Sequence, residues 1–380
     1  MLIFSIIFAI VVITRGILPS KINLAGKIIL SIISVLISLK FFISYLITGR
    51  MFCEPNIPHA IIWGMTWLFG IIFILFFLLI FKDLCFLITY LINLITKKYS
   101  IDVLKKFFNA FSLVATLLAI IISTIGLFSG FATPQVKEQV IKIKNLPNNL
   151  NNFSIAVLSD LHIDKMTDKD KIEKIVEITN NLKPNIIVLL GDVADGTTDE
   201  LANKLAPLAK LQAKSGIFGV VGNHEYYSGY HEYQKLFRQF NIKILNNQFT
   251  AVGELALIGI TDKVIKNKNS SRKIPSQNLN KAVNGSETFP VKILLAHRPA
   301  VAHEAKKYDI DLQLSGHTHG GSIILFDRLV AAYNGGFYSG LYKLNNSKLQ
   351  LYVHNGTGIW SGFPFRFGHS SEITLIKLKR

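Results

Sequence analysis

The chain has 380 residues, half of them hydrophobic, and a formal net charge of +17 at pH 7. A basic excess of this size suits anionic lipid headgroups or nucleic acid. No motif of interleaved aromatic and basic residues that reads nucleic acid occurs, so no nucleic-acid partner is expected. Both cysteines, Cys53 and Cys85, precede residue 133, which excludes a disulfide framework and a catalytic thiol in the rest of the chain.

Residues 1–132 are predicted to form a transmembrane anchor of about four helices. A helix needs about 20 mostly apolar residues to cross the hydrocarbon of a bilayer. The candidate spans are 2–18, 28–48, 60–81 and 111–132. The first lacks the basic start and small-residue cleavage site of a signal peptide, which favours a retained anchor. A further apolar segment, 84–96, either continues the third helix or lies at the membrane interface.

Lysine and arginine set the expected orientation, because loops rich in these residues stay in the cytoplasm. The basic connections follow the first and third spans and contain Arg15, Lys21, Lys27, Lys82, Lys97, Lys98, Lys105 and Lys106. Four spans then place the N-terminus and the C-terminal two thirds of the chain outside. A fifth span at 84–96 would instead place the C-terminal part in the cytoplasm. We expect four spans, and therefore a multi-pass protein of the cell membrane with an extracytoplasmic domain.

Residues 133–150 are predicted to link the anchor to a domain that covers 151–380. Apolar alternation at Val140, Ile141 and Ile143 predicts a first edge strand in this linker. Within the domain, the segment 263–289 is rich in Asn, Lys and Ser and predicts an exposed loop.

Five short polar patches follow apolar runs that have the character of buried strands. The patches are SDLH, LLGD, VGNHE, LLAH and SGHTHG, and they contain Asp160, His162, Asp192, Asn223, His224, His297, His317 and His319. Successive early patches are about 30 residues apart, the usual length of a strand–helix–strand unit. Ligands in open α/β sheets bind outside the carboxyl ends of the strands. Imidazole, carboxylate and amide groups converging there predict a metal site of mixed nitrogen and oxygen ligands.

The order and residue types of these patches resemble the calcineurin-like metallophosphoesterase superfamily. Near the C-terminus, the segments Gly356-Thr357-Gly358 and Pro364-Phe365-Arg366 resemble the closing loop of its membrane-attached bacterial subgroup. The resemblance implies a four-layer α/β/β/α sandwich, here preceded by an all-α transmembrane helical region. It also implies two divalent or trivalent transition metal ions, for which manganese, iron and zinc are all suited. By motif position, the first ion would be held by Asp160, His162, Asp192 and His319, and the second by Asp192, Asn223, His297 and His317. The family's role for His224 is catalytic: it stabilises the phosphoryl oxygens or protonates the leaving group.

Other polar residues near the patches have simpler expected roles. Glu225 is expected to orient a neighbour or a backbone amide rather than to bind metal. Asp164 and Asp195 are expected to be solvated acids, and a supporting place beside the metal site is the less favoured alternative for Asp195. The histidines without motif context, expected to be structural, are His59, His231, His303, His354 and His369.

Glycine-rich loops in the tail carry six aromatic residues: Phe337, Tyr338, Trp360, Phe363, Phe365 and Phe367. These rings either form a rim that faces the membrane or an acyl chain, or they pack on the sandwich. Arg366, between two of them, either binds the substrate phosphate or forms a surface salt bridge.

The sequence therefore favours a membrane-anchored hydrolase of a phosphomonoester, phosphodiester or pyrophosphate bond, acting through a hydroxide activated by two metals. Tethering favours a lipid-linked or membrane-associated phosphorylated substrate, with membrane lipids as a further partner. One alternative is a non-enzymatic membrane protein that binds or senses a ligand. Another, if the domain is cytoplasmic, is a pyrophosphatase of the UDP-diacylglucosamine type.

Overall fold

The computed structural model describes residues 2–49, 55–263, 274–324 and 326–380. Contacts within the chain divide it into two units, Met1–Ser129 and Gly130–Arg380. Of the loop predicted at 263–289, residues 264–273 lie outside the described residues, as does Cys53.

The described part of the N-terminal unit is helical. Its helices are α1 (Leu2–Val11), which continues as a π-helical turn (Val12–Ile17), α2 (Leu24–Ser38), α3 (Lys40–Thr48), α4 (His59–Thr96) and α5 (Ile101–Phe131). By length and composition α4 and α5 can each cross a membrane, and α2 with α3, bent by 53°, would make a third span. The apolar helix Leu2–Ile17 is shorter than these spans.

The third predicted span and the segment 84–96 form one continuous helix, α4, of 38 residues. At about 1.5 Å per residue it is about 57 Å long, nearly twice the thickness of the bilayer hydrocarbon. Charged residues within it are partnered: Asp83 pairs with Arg15 at 3.0 Å, and the ammonium of Lys82 donates to Ser112 Oγ at 3.1 Å. Of the two alternatives for 84–96, continuation of the third helix is therefore the observed one.

The C-terminal unit contains two six-stranded sheets within its described residues. The first sheet has the order β1 (Gln135–Lys142), β12 (Glu372–Lys379), β2 (Ser154–Leu158), β3 (Ile186–Leu189), β4 (Ile217–Gly219) and β5 (Ile242–Ile244). The second has the order β10 (Gly340–Lys343), β11 (Gln350–Val353), β9 (Leu312–Ser315), β8 (Val291–Leu295), β7 (Leu255–Gly259) and β6 (Gln248–Val252). Strand β1 lies at the edge and pairs in parallel with β12.

Alternating side chains of each strand supply two different cores, because successive residues point to opposite faces of a sheet. Ile155 and Val157 of β2 pack between the sheets with Ile293 of β8. Ala156 and Leu158 pack instead against the helices on the outer face of the first sheet. These helices are α6 (Lys169–Asn181), α7 (Ala202–Leu205) and α9 (Tyr230–Gln239). The short helix α8 (Asn223–Ser228) directly precedes α9.

Two further helices, α10 (Leu279–Val283) and α11 (Ala302–Ala305), contribute buried residues to the outer core of the second sheet. Helix α12 (Asp327–Tyr333) follows later in the chain. The predicted four-layer α/β/β/α sandwich behind apolar helices is thereby confirmed. Strands β2, β3 and β4 run parallel to one another, as do β7, β8 and β9. Their carboxyl ends carry the polar patches.

Candidate metal centre

Each polar patch lies immediately after a strand of one of the two sheets. Asp160 and His162 follow β2, Asp192 follows β3, Asn223 and His224 begin α8 after β4, His297 follows β8, and His317 and His319 follow β9. Seven of these eight side chains contact one another, at the distances given below. Asn223 is linked to the group by a hydrogen bond from Arg298.

Five of the patch residues have a left-handed backbone, with φ of 51° at Asp160, 45° at His162, 52° at Asp192, 71° at His317 and 50° at His319. For residues other than glycine such a conformation costs about 1–3 kcal/mol each and persists where the surroundings hold it. Backbone hydrogen bonds do so here: the Asp160 amide donates to Gly191 at 3.0 Å, and the His162 amide to Asp192 at 3.1 Å. A side chain at Gly222 would collide with the Asp192 carboxylate. The site thus depends on close backbone approach.

One cluster of possible metal ligands contains Asp160, His162 and His319, whose ligand atoms lie within 4.8 Å of one another. Nε2 of His162 is 3.1 Å from Nε2 of His319, and the latter is 3.8 Å from Asp160 Oδ1. Nδ1 of His162 contacts both carboxylate oxygens of Asp195, at 3.1 and 3.0 Å. Because a proton on Nδ1 satisfies that carboxylate, the lone pair of Nε2 points into the cluster.

A second cluster contains Asp192, His297 and His317. Nε2 of His297 is 3.1 Å from Asp192 Oδ2 and 3.2 Å from Nδ1 of His317. Nδ1 of His297 is 2.7 Å from the Leu190 carbonyl, to which it donates, so Nε2 faces the cluster. Asp192 Oδ2 also lies 3.9 Å from His162 Nε2, which places this carboxylate between the two clusters.

The donor set fits a pair of cations. In both clusters two ring nitrogens face each other across 3.1 or 3.2 Å, and a cation can accept both lone pairs where at most one proton could sit. Burial holds the pKa values of His319 and His317 well below their usual value. Imidazoles that are neutral in this way are the form that ligates metals.

His224 and Asp195 form a buried pair beside these clusters. Nδ1 of His224 is 2.6 Å from Asp195 Oδ1, and its Nε2 is 3.8 Å from Asp192 Oδ2. Burial alone would lower the pKa of His224, but the carboxylates of Asp195 and Asp192 raise it to about 9. Burial would raise the pKa of Asp195, yet His162 and His224 hold it well below its usual range.

The expectation that Asp195 is solvated was therefore wrong: its side chain is 4% exposed and supports two patch histidines. Its place three residues after Asp192, in the same loop, was the available signal. Asp164 is also buried, accepts from the amide and hydroxyl of Thr167, and has a pKa that burial raises to about 6.

Glu225 fulfils the orienting role predicted for it. Its fully buried carboxylate accepts from the amides of Gly222 at 2.7 Å, Val193 at 2.6 Å and Asp192 at 3.1 Å. The carboxylate thereby ties the loop after β3 to the loop before α8.

Arg298 and Asp262 belong to the site although the patch pattern did not include them. Nη2 of Arg298 donates to Asn223 Oδ1 at 2.9 Å, and Nη1 lies 2.7 Å from His317 Nε2. Its Nε donates to both carboxylate oxygens of Asp262, each at 3.0 Å. The available signal was the position of Arg298 directly after His297.

Arg366 occupies neither of the positions expected for it. It is fully buried, and Nη2 donates to the carbonyls of Asn355 at 2.7 Å and Gly358 at 2.8 Å, while Nη1 donates to the carbonyl of His319 at 3.2 Å. These bonds hold the loop behind His319 and leave no terminal nitrogen for a surface salt bridge or a substrate. Burial lowers its pKa to about 10.

The six aromatic rings of the tail differ in exposure, and packing on the sandwich is observed for two of them. Phe365 and Phe337, 1% and 8% exposed, are packed in the domain, whereas Phe367 is 36% exposed. Trp360 approaches the site: its ring centroid lies 6.1 Å from that of His224, on which Tyr227 also packs at 5.4 Å.

Comparison with known proteins assigns this arrangement to a family. The family model described as calcineurin-like phosphoesterase matches residues 153–321, which include all eight patch residues. An uncharacterized metallophosphoesterase of Campylobacter jejuni is 34% identical over 306 residues, which cover 80% of this chain and 78% of the relative. The chain belongs to the calcineurin-like metallophosphoesterase family.

Further metallophosphoesterases match a smaller share of their own length. A transmembrane protein with metallophosphoesterase domain from Danio rerio is 33% identical over 281 residues, covering 70% of this chain and 63% of that protein. An uncharacterized metallophosphoesterase of Helicobacter pylori is 33% identical over 254 residues, covering 67% of this chain and 66% of that protein. The chain thus spans slightly less than two thirds of these two relatives.

Proposed function

We propose that the chain is a membrane-anchored, metal-dependent phosphoesterase whose C-terminal unit hydrolyses a phosphomonoester, phosphodiester or pyrophosphate bond. The observation that carries the proposal is the pair of ligand clusters that meet at Asp192. Family membership supports the same reaction class.

The ligand assignment combines the two clusters with the motif positions of the family, which add Asn223 and place Asp192 in both sites. Asp160, His162, Asp192 and His319 would hold one transition metal ion, and Asp192, Asn223, His297 and His317 the other. When bound, such a pair supplies Lewis acidity to the phosphoryl oxygens and lowers the pKa of water toward neutrality. Manganese, iron and zinc all suit this mixture of imidazole, carboxylate and amide ligands.

His224 is proposed as the residue that serves the leaving group. Asp195 holds Nδ1, so Nε2 is the nitrogen that faces the side of Asp192. The Asp195 carboxylate at Nδ1 favours the protonated ring, and a proton on Nε2 would face the side on which an oxygen departs.

The proposed location is the cell membrane, with the C-terminal unit on the extracytoplasmic side. The basic residues Lys97, Lys98, Lys105 and Lys106 lie at the connection between α4 and α5, which favours a cytoplasmic position for that connection. The chain leaves α5 at its opposite end. A substrate at the membrane, such as a lipid-linked phosphate ester, suits a domain attached to apolar helices. A pyrophosphatase of the UDP-diacylglucosamine type would require the opposite orientation.

The test uses the full-length protein in detergent, loaded separately with Mn²⁺, Fe²⁺ or Zn²⁺ and assayed on aryl phosphate monoesters and diesters. We expect turnover that requires metal and is absent from Asp192→Ala. If the metal-loaded wild type binds two ions and turns over neither ester nor a pyrophosphate, the enzyme proposal fails and a ligand-binding function replaces it.

A further inference from the structure

Arg298 is a cation at the edge of the metal centre that the roles assigned above do not use. It follows His297 at the end of β8, and its Nε is fixed by both oxygens of Asp262 at 3.0 Å. The Asp262 side chain is 3% exposed, so the anchor is rigid, and its charge balances that of the guanidinium. Because Asp262 balances its charge, Arg298 can lie next to a site that binds cations.

The other edge of the guanidinium faces two proposed ligands of the second ion. Nη2 donates to Asn223 Oδ1 at 2.9 Å, and Nη1 lies 2.7 Å from His317 Nε2. The Arg298 side chain is 29% exposed. The guanidinium therefore contacts the ligand cluster and is also accessible to solvent, as the binding of an anion requires.

The two contacts leave part of the guanidinium unused. Each terminal nitrogen of an arginine carries two N–H groups. Among the described residues Nη1 contacts only His317 and Nη2 contacts only Asn223, so each nitrogen keeps one N–H for a further acceptor.

Resting on the proposed function, we propose that Arg298 binds a non-bridging oxygen of the substrate phosphoryl group beside the second ion site. Asp262 acts as a positioning residue that fixes the guanidinium through Nε. The planar fork of arginine matches phosphate oxygens, and such charge-assisted bonds are stronger than neutral ones. The sequence suggested this phosphate-binding role for Arg366, but the guanidinium of Arg366 is hydrogen-bonded to backbone carbonyls instead.

The test measures binding of inorganic phosphate by calorimetry to the full-length, Mn²⁺-loaded protein in detergent. Arg298→Met should keep two ions per chain and bind phosphate about 10- to 100-fold more weakly, the range expected for a lost hydrogen bond to a charged group. Arg298→Lys should fall between, since it keeps the charge and loses the fork. Arg328→Met, at an exposed position on α12, is the matched control and should bind phosphate as the wild type does.

Three results would overturn the assignment. They are loss of the second ion from Arg298→Met, unchanged phosphate affinity with both ions retained, and a wild type that takes up two ions but no phosphate. If Arg298→Met does not fold, Asp262→Asn loosens the same guanidinium and should also weaken phosphate binding. A protein that binds phosphate through Arg298 yet hydrolyses no ester would retain this assignment while the proposed enzyme activity fails.

Discussion

Asp192 contacts members of both ligand clusters, and this position determines what its removal should do. Asp192→Ala should remove both ions, whereas His319→Ala should mainly weaken the first and His297→Ala the second. Metal analysis of the purified variants after equilibration with limiting Mn²⁺ checks this. An Asp192→Ala protein that retains two ions per chain would contradict the bridging role.

The pair of His224 and Asp195 predicts a rate effect without metal loss. His224→Ala should keep both ions and lose about 10²–10⁴-fold in rate, the usual contribution of a general acid. The loss should shrink with a nitrophenyl ester, whose leaving group needs no proton, and rates on esters with good and poor leaving groups measure this. Equal losses on both esters would instead assign His224 to the phosphoryl oxygens. Asp195→Asn should lower the pKa of His224. The limb of the pH–rate profile that reports His224 should then move to lower pH.

The raised pKa of His297 predicts how metal affinity depends on pH. Burial lowers this pKa, but Asp192 outweighs burial and raises it to about 10, so the ring is protonated at neutral pH. A metal must displace that proton, and affinity should therefore rise by about tenfold per pH unit for each proton displaced, and weaken as pH falls. Calorimetric Mn²⁺ titrations at pH 6.5, 7.5 and 8.5 measure the slope. A flat profile would show that His297 carries no proton before metal binds.

Among the structural elements, the loop before β12 contains a matched pair of aromatic residues. Phe365 is 1% exposed and Phe367 is 36% exposed. Phe365→Ser should cost about 3–5 kcal/mol of unfolding free energy, as other large core truncations do, and should lower the melting temperature together with all activities. Phe367→Ser should leave the melting temperature nearly unchanged.

Phe367 also tests the membrane-facing rim that the sequence suggested. If this ring contacts lipid, Phe367→Ser should reduce liposome binding and turnover of a lipid phosphate ester while aryl phosphate turnover stays the same. If Phe367→Ser turns over both substrates at the wild-type rate, Phe367 makes no lipid contact that matters for activity.

Much of the fold at the level of strands and helices could be predicted, because buried strands and the polar residues that follow them leave a local sequence pattern. The runs before Asp160, Asp192 and His297 are apolar enough to mark β2, β3 and β8. Local pattern could not place Asp195, Arg298 and Arg366, since their roles depend on which loops meet. In the sequence, Asp195 cannot be distinguished from other acidic loop residues, because its contact with His224 of α8 forms only in the folded chain. Arg366 lies between Phe365 and Phe367 in the sequence, and only the fold shows that its guanidinium is buried.

At the scale of the whole molecule, orientation in the membrane decides which substrates are accessible. A reporter fused after Arg380 should be active outside the cytoplasm, and a cysteine placed between Lys97 and Lys105 should react with thiol reagents only from the cytoplasmic side. The reverse labelling pattern would place the C-terminal unit in the cytoplasm and favour a nucleotide-linked lipid precursor as substrate.

The pairing of β1 with β12 also affects the order in which the C-terminal unit can fold during synthesis. Strand β12 lies between β1 and β2, so two strands synthesised early have no shared neighbour until the far end of the domain has emerged from the ribosome. The apolar helices can enter the bilayer while this sheet still has a gap between its edge strand β1 and β2. Until β12 has been made, the facing edges of β1 and β2 therefore stay unpaired and can bind other chains. Once β12 inserts, its eight-residue parallel ladder with β1 completes the sheet.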